Sequence, residues 1–185
     1  QLHRKIDEIE QTPTVKVVLI TGVGDKAFMA GGDIKSFPEW MGKGVDVAKV
    51  KSQWLQHPLN RIEGLPYPTI CILNGVALGG GCELALACDI RIAEEHIKIG
   101  LPEIKLGLFP GAGGTQRLAR LVGKAKAKEI IFTGEPLTAE QALSIGLVNI
   151  VVKKWYGLTT GIQLAKKIAN HSRQALMYAK QAIDE

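Results

Sequence analysis

No stretch of this sequence holds 18 consecutive apolar residues, which excludes a helix that crosses a membrane, and its first residues do not read as a secretory leader. Cysteine is scarce: Cys71, Cys82 and Cys88 are odd in number, lie in apolar surroundings and lack CxxC spacing. They read as reduced core residues of a soluble, intracellular protein. His3, His57, His96 and His171 are scattered, so no metal-ligand spacing appears and no metal is expected. Aromatic residues make up only 5%, and none interleave with the lysines as they would on a single-strand nucleic-acid surface. The sequence also lacks a Gly-x-Ser-x-Gly nucleophile elbow, the Gly-Lys-Ser/Thr ending of a phosphate loop, and any internal repeat.

What is abundant is glycine. The 185 residues include 21 glycines and are 46% hydrophobic, which points to an α/β chain with many tight loops and one substantial core. A net charge of +5 is compatible with a phosphorylated small molecule, a membrane surface or nucleic acid, and the dispersed lysines argue against the last. The central stretch runs from Asn74 to Asp89, Asn-Gly-Val-Ala-Leu-Gly-Gly-Gly-Cys-Glu-Leu-Ala-Leu-Ala-Cys-Asp. It follows an apolar run, Thr69 to Leu73, that reads as a buried strand, and it leads into a helix over Cys82 to Cys88. Glycines 79 to 81 bring bare backbone N–H groups to the positive end of that helix, where an anion or a developing oxyanion is favoured. Glu83 stands among Leu84, Ala85, Leu86 and Ala87, and a carboxylate in such company needs a reason to be there.

Other segments follow the same grammar. Leu2 to Glu10 has the spacing of an amphipathic helix, and Val15 to Ile20 that of a strand covered on both faces. Gly22-Val23-Gly24-Asp25-Lys26-Ala27 imitates a dinucleotide fingerprint, but no regular helix pattern follows it. Phe28 to Lys35 is a second small-residue knot, with Asp33 placed to cap a short helix. A helix over 45–63, perturbed near Pro58, precedes the central strand, and Ile90 to Ala93 reads as a further strand. Glu103 follows Pro102 and so sits at a fixed corner. A third glycine loop, Leu108 to Thr115, places Thr115 as N-cap of a helix over 116–122. Helices over 125–132 and 138–143, the latter capped by Thr138, precede a strand over 148–152 and one or two amphipathic helices over 164–184.

Three of these segments, Phe28 to Lys35, Asn74 to Leu84 and Leu101 to Leu118, resemble in order and spacing the crotonase superfamily, most closely enoyl-CoA hydratase. The resemblance runs from the first helix to the last. It implies an α/β fold, a crotonase-like ββα spiral over 1–152 with a helical C-terminal segment over 153–185. It also implies an N-terminal hairpin and further C-terminal helices that the sequence does not show.

The resemblance further implies that a coenzyme A thioester lies with its carbonyl between the N–H groups of Gly32 and Gly80, and that Ala30, Gly32, Asp33, Ile34, Lys35 and Gly80 line its path. Glu83 and Glu103 match the two glutamates of the hydratases, and the Gly111 N–H matches a water-holding position. The expected reaction is addition of water to a 2-enoyl-CoA, with coenzyme A as part of the substrate and no other cofactor. An isomerase, the hydratase part of a multifunctional β-oxidation protein, and an RNA-binding homologue without catalysis are the alternatives. A homotrimer or homohexamer is expected, in the cytoplasm of a bacterium or the mitochondrial matrix of a eukaryote.

Overall fold

The computed structural model describes residues 2–32 and 43–185. The chain order is helix α1 (Leu2–Glu10), β1 (Val18–Thr21), β2 (Ala27–Met29), α2 (Val45–Glu63), β3 (Thr69–Leu73), β4 (Val76–Leu78), α3 (Gly80–Leu86), β5 (Ile90–Glu94) and β6 (Lys98–Gly100). A 3-10 turn at Pro102–Leu106 follows, then α4 (Gly114–Val122), α5 (Lys124–Thr133), β7 (Leu137–Thr138), α6 (Ala139–Ser144), β8 (Ile150–Val152), α7 (Gly157–Ala169) and α8 (Arg173–Asp184).

Among the described residues the strands form two four-stranded sheets, in the orders β1-β3-β5-β8 and β2-β4-β6-β7. The first is parallel throughout; in the second only β7 runs antiparallel to its neighbour. Over the first six strands each successive pair therefore gives one strand to each sheet before a helical segment returns the chain, whereas α6 separates β7 from β8. This is the ββα spiral that the family resemblance implied.

Strand β3 is buried along its whole length, as a continuous apolar run in a covered sheet should be. One face of the first sheet contributes Cys71 and Leu73 to the main core, which extends through α2, α3 and α4; the other presents Ile70, Ile72 and Ile92 to Leu164, Ala165 and Ile168 of α7. Gly157 and Gly161 let α7 approach that closely, since a Cβ on Gly157 would stand 2.9 Å from a methyl carbon of Ile72. The segment over 153–185 thus forms α7 against the first sheet and α8 beside it. Lys180 of α8 reaches Asp89 at 3.0 Å, and the same Asp89 oxygen accepts from the N–H and hydroxyl of Thr69. No helix of the described residues is long and apolar enough to cross a membrane.

Several local expectations shift. The strand expected from Val15 is regular only from Val18, and α3 begins at Gly80 and ends at Leu86, two residues ahead of the expected span. The α4 N-cap is Gly113, with φ +101°, rather than Thr115, which lies inside the helix. The reason is packing: the Arg117 side chain lies against Gly113, where any Cβ would run into its guanidinium. Thr138 caps α6 as expected, and Gln141 returns a bond to its N–H to complete a capping box. The Gly22–Ala27 segment opens a strand, not a helix, and Asn74 locks it by donating to the carbonyls of Gly22 and Gly24 at 2.9 and 2.7 Å. A dinucleotide site is therefore excluded there.

Candidate active site

The backbone at the end of β2 lies against the start of α3. Gly81 permits this approach, because any Cβ there would collide with the carbonyl oxygen of Met29. A Cβ on Gly80 would stand 3.9 Å from the Gly32 nitrogen and 3.8 Å from the Gly31 Cα. The backbone nitrogens of Gly32 and Gly80, far apart in sequence, are thereby brought to neighbouring positions. Gly80 opens α3, so its N–H belongs to the first turn, whose donors have no partner inside the helix. Gly79 carries φ +54° and ψ −121°, a conformation suited to glycine, and its N–H donates to the Gly100 carbonyl at 3.0 Å, tying the end of β4 to β6.

Glu83 lies one turn into α3 and is 3% exposed. Its Oε1 accepts from the N–H of Ala112 at 2.7 Å and of Gly114 at 2.9 Å, both in the third glycine loop. Burial pushes its pKa up, while those two N–H groups and then the Arg117 charge oppose the shift. Glu103 sits in the 3-10 turn after Pro102, and its Oε1 would be 3.2 Å from a Cβ on Gly79. Its Oε2 is buried and has no hydrogen-bond partner among the described residues. Burial raises its pKa to about 7, and the negative charge of Glu83 adds to the rise. The fixed corner expected at Pro102 thus delivers a carboxyl beside the paired glycine backbones.

The structure therefore brings together Gly32, Gly80, Glu83 and Glu103. Ala30 is exposed just before them, at the end of β2. Asp33, Ile34 and Lys35 lie outside the described residues. Gly111 is in the same loop as the partners of Glu83, and its carbonyl accepts from the Ser52 hydroxyl at 2.5 Å and from the Gln56 amide at 2.8 Å.

Sequence reasoning missed what secures that loop. Arg117 of α4 is buried and donates to the Ala112 carbonyl at 2.9 Å, and to Asn60 and Glu63 of α2 at 2.7 Å each. The signal was present: Ser52, Gln56, Asn60 and Glu63 recur at spacings of four, four and three, a polar stripe on one face of α2.

The family model for enoyl-CoA hydratase/isomerase matches residues 1–185. The short-chain-enoyl-CoA hydratase of Clostridium acetobutylicum is 44% identical over 182 residues, which cover 97% of this chain and 67% of that protein. The 2,3-dehydroadipyl-CoA hydratase of Escherichia coli is 42% identical over 185 residues, covering 98% of this chain and 70% of the relative. A crystal structure of an enoyl-CoA hydratase from Bacillus anthracis superposes with a TM-score of 0.92 at 41% identity, over the whole of this chain and 70% of that one. The chain belongs to the enoyl-CoA hydratase/isomerase family.

Proposed function

We propose that this member of the enoyl-CoA hydratase/isomerase family is a hydratase that adds water in syn fashion to a 2-trans-enoyl-CoA, giving the 3-hydroxyacyl-CoA. The observation that carries the reading is the pair of glutamates, one supported by two N–H donors and the other with a buried oxygen unpartnered among the described residues, beside two juxtaposed glycine nitrogens.

In this reading the thioester oxygen lies between the N–H groups of Gly32 and Gly80. Water attacks the substrate's Cβ, a new C–O bond forms, and the Cα=Cβ pair of electrons moves toward the thioester oxygen as an enolate. Glu83, whose ionised form its two N–H bonds favour, takes the proton that water loses. Glu103, with a pKa raised to about 7, is neutral often enough near neutrality to deliver a proton to Cα. Proton exchange with solvent then resets the pair. The two N–H groups stabilise the enolate oxygen, at about 3 kcal/mol per donor in comparable sites. Ala30 lines the coenzyme A path, and the Gly111 N–H helps to hold the water. The substrate supplies the coenzyme A, and the assembly is a homotrimer or homohexamer, cytoplasmic in a bacterium or mitochondrial in a eukaryote.

The test is loss of the enoyl-thioester absorbance on mixing with crotonyl-CoA, repeated with Glu83→Gln and Glu103→Gln. Loss in the parent that both substitutions abolish is expected. Near-normal hydration by Glu103→Gln would overturn the assignment. Double-bond migration without net hydration would reassign the chain to isomerase chemistry, for which one proton-carrying carboxylate suffices.

A further inference from the structure

The third glycine loop is held from behind at two consecutive carbonyls. Ser52 and Gln56 both donate to Gly111, and Arg117 donates to Ala112 while its other nitrogen is gripped by Asn60 and Glu63. On the opposite side the same loop offers the N–H groups of Ala112 and Gly114 to Glu83. Arg117 closes the assembly with its main chain too, since its N–H donates to the Gly113 carbonyl at 2.9 Å. Four polar residues on one face of a 19-residue helix are a large polar commitment for an element that otherwise packs on the core through Leu59 and Ile62. Ser52 and Gln56 bond to the loop directly, and Asn60 and Glu63 hold the Arg117 that bonds to it. That loop in turn holds the Glu83 carboxylate.

We propose that the polar stripe of α2, Ser52, Gln56, Asn60 and Glu63, acts with Arg117 as the positioning apparatus for Glu83, fixing its carboxylate through the carbonyls of Gly111 and Ala112. The inference rests on the hydratase reading for its kinetic consequence, but the clamp itself is independent of the reaction. Two effects are separable. Ser52 and Gln56 are uncharged and act only through geometry. Arg117 acts through geometry and through its charge, which favours ionised Glu83. Glu103, with a charge of the same sign, and the neighbouring Cys82 are the other titratable groups that sense Glu83. Both are unaltered in the variants below. A lysine at 117 keeps a charge but not the planar fork that spans Ala112 and α2 at once.

The experiment measures two quantities on Ser52→Ala/Gln56→Ala, Arg117→Lys and Arg117→Met. The first is the titration midpoint of the Glu83 carboxyl carbon, by 13C NMR of glutamate-labelled protein, assigned by the resonance lost in Glu83→Gln. The second is the separation of kcat from KM for crotonyl-CoA. The Arg117→Met midpoint should rise by about one unit, from loss of a nearby opposite charge. In Arg117→Lys and Ser52→Ala/Gln56→Ala the midpoint should rise less, while kcat falls by roughly tenfold to a hundredfold with KM little changed. Should Arg117→Met fail to fold, the Ser52→Ala/Gln56→Ala protein carries the test, because it deletes only two half-exposed contacts.

An unmoved Glu83 midpoint in folded variants, or a loss confined to KM, would overturn the proposal. A parent protein that does not turn over crotonyl-CoA defeats the hydratase reading alone; the NMR midpoints then still decide the clamp.

Discussion

Glu83 and Glu103 are held in opposite ways: one oxygen of Glu83 accepts two backbone N–H bonds at 2.7 and 2.9 Å, whereas Oε2 of Glu103 is buried with no partner among the described residues. The first arrangement favours a carboxylate and the second a carboxylic acid. Because the charge of Glu83 also raises the Glu103 pKa, the two titrate as a pair, with Glu83 the first to ionise.

The pH dependence of kcat/KM should accordingly be bell-shaped. Activity requires ionised Glu83 and neutral Glu103, so it falls in acid as Glu83 gains its proton and falls above about pH 7 as Glu103 loses its own. Initial rates with crotonyl-CoA between pH 5 and 9 check this. A profile still rising at pH 9 would assign the proton donor elsewhere.

Stability should carry the same signature with a sign that can be worked out. The Glu103 pKa rises from 4.5 to about 7 on folding, so the folded state holds this proton more tightly than the unfolded chain does. The contribution favours folding in acid and is lost as pH increases from about 4.5 to 7. Glu103→Gln removes it. Its melting temperature should exceed the parent's at pH 8, and the advantage should vanish at pH 4, as followed by thermal denaturation.

Gly81→Ala should cost at least ~3 kcal/mol, because its new methyl group would run into the Met29 carbonyl and the backbone on one side must move. Gly24→Ala is the control. Its φ is +77° but nothing lies within 4 Å of the added carbon, so only the local strain of about 1–2 kcal/mol applies. Urea unfolding of the two proteins separates a steric collision from a conformational preference.

Arg91→Met tests a structural cation. Arg91 is buried and donates to the carbonyls of Leu147 at 2.7 Å, Cys88 at 2.5 Å and Ala85 at 3.4 Å, joining the end of α3 to the approach to β8. Removing the donors leaves buried carbonyls unmatched, at a cost of about 3 kcal/mol. Chemical denaturation should show the loss, with kcat of the folded fraction preserved.

The sequence disclosed those features whose cause is local. Apolar runs marked β3, a proline fixed the corner that carries Glu103, and threonine chemistry capped α6. Glu83 was conspicuous as one charge in an apolar helix. The holders of Glu83 were not, because Ala112 and Gly114 act through backbone N–H groups and no side chain advertises them. Arg117 likewise drew no notice within the helix over 116–122, since its burial depends on Asn60 and Glu63 from a distant element. The α4 start was misplaced for the same reason: Thr115 is a good cap by type, but the fold presses Arg117 against Gly113 and begins the helix there.

The alternation of strands between two sheets has a consequence for how the molecule comes into being. Val18 aligns with Thr69, Ile70 with Ile90, Ile92 with Ile150 and Lys98 with Thr138, and among the described residues β6 and β7 alone are paired successors, with α4 and α5 lying between them. Assembly therefore has no hairpin from which to start, and every ladder requires the closure of a long loop before it gains any bonds. Such a topology places folding on the slow side, in milliseconds to seconds. Gly32, Gly80, Glu83 and Glu103 meet only when β2, β4 and β6 stand side by side. A chain in which the second sheet has not formed therefore lacks the assembled site.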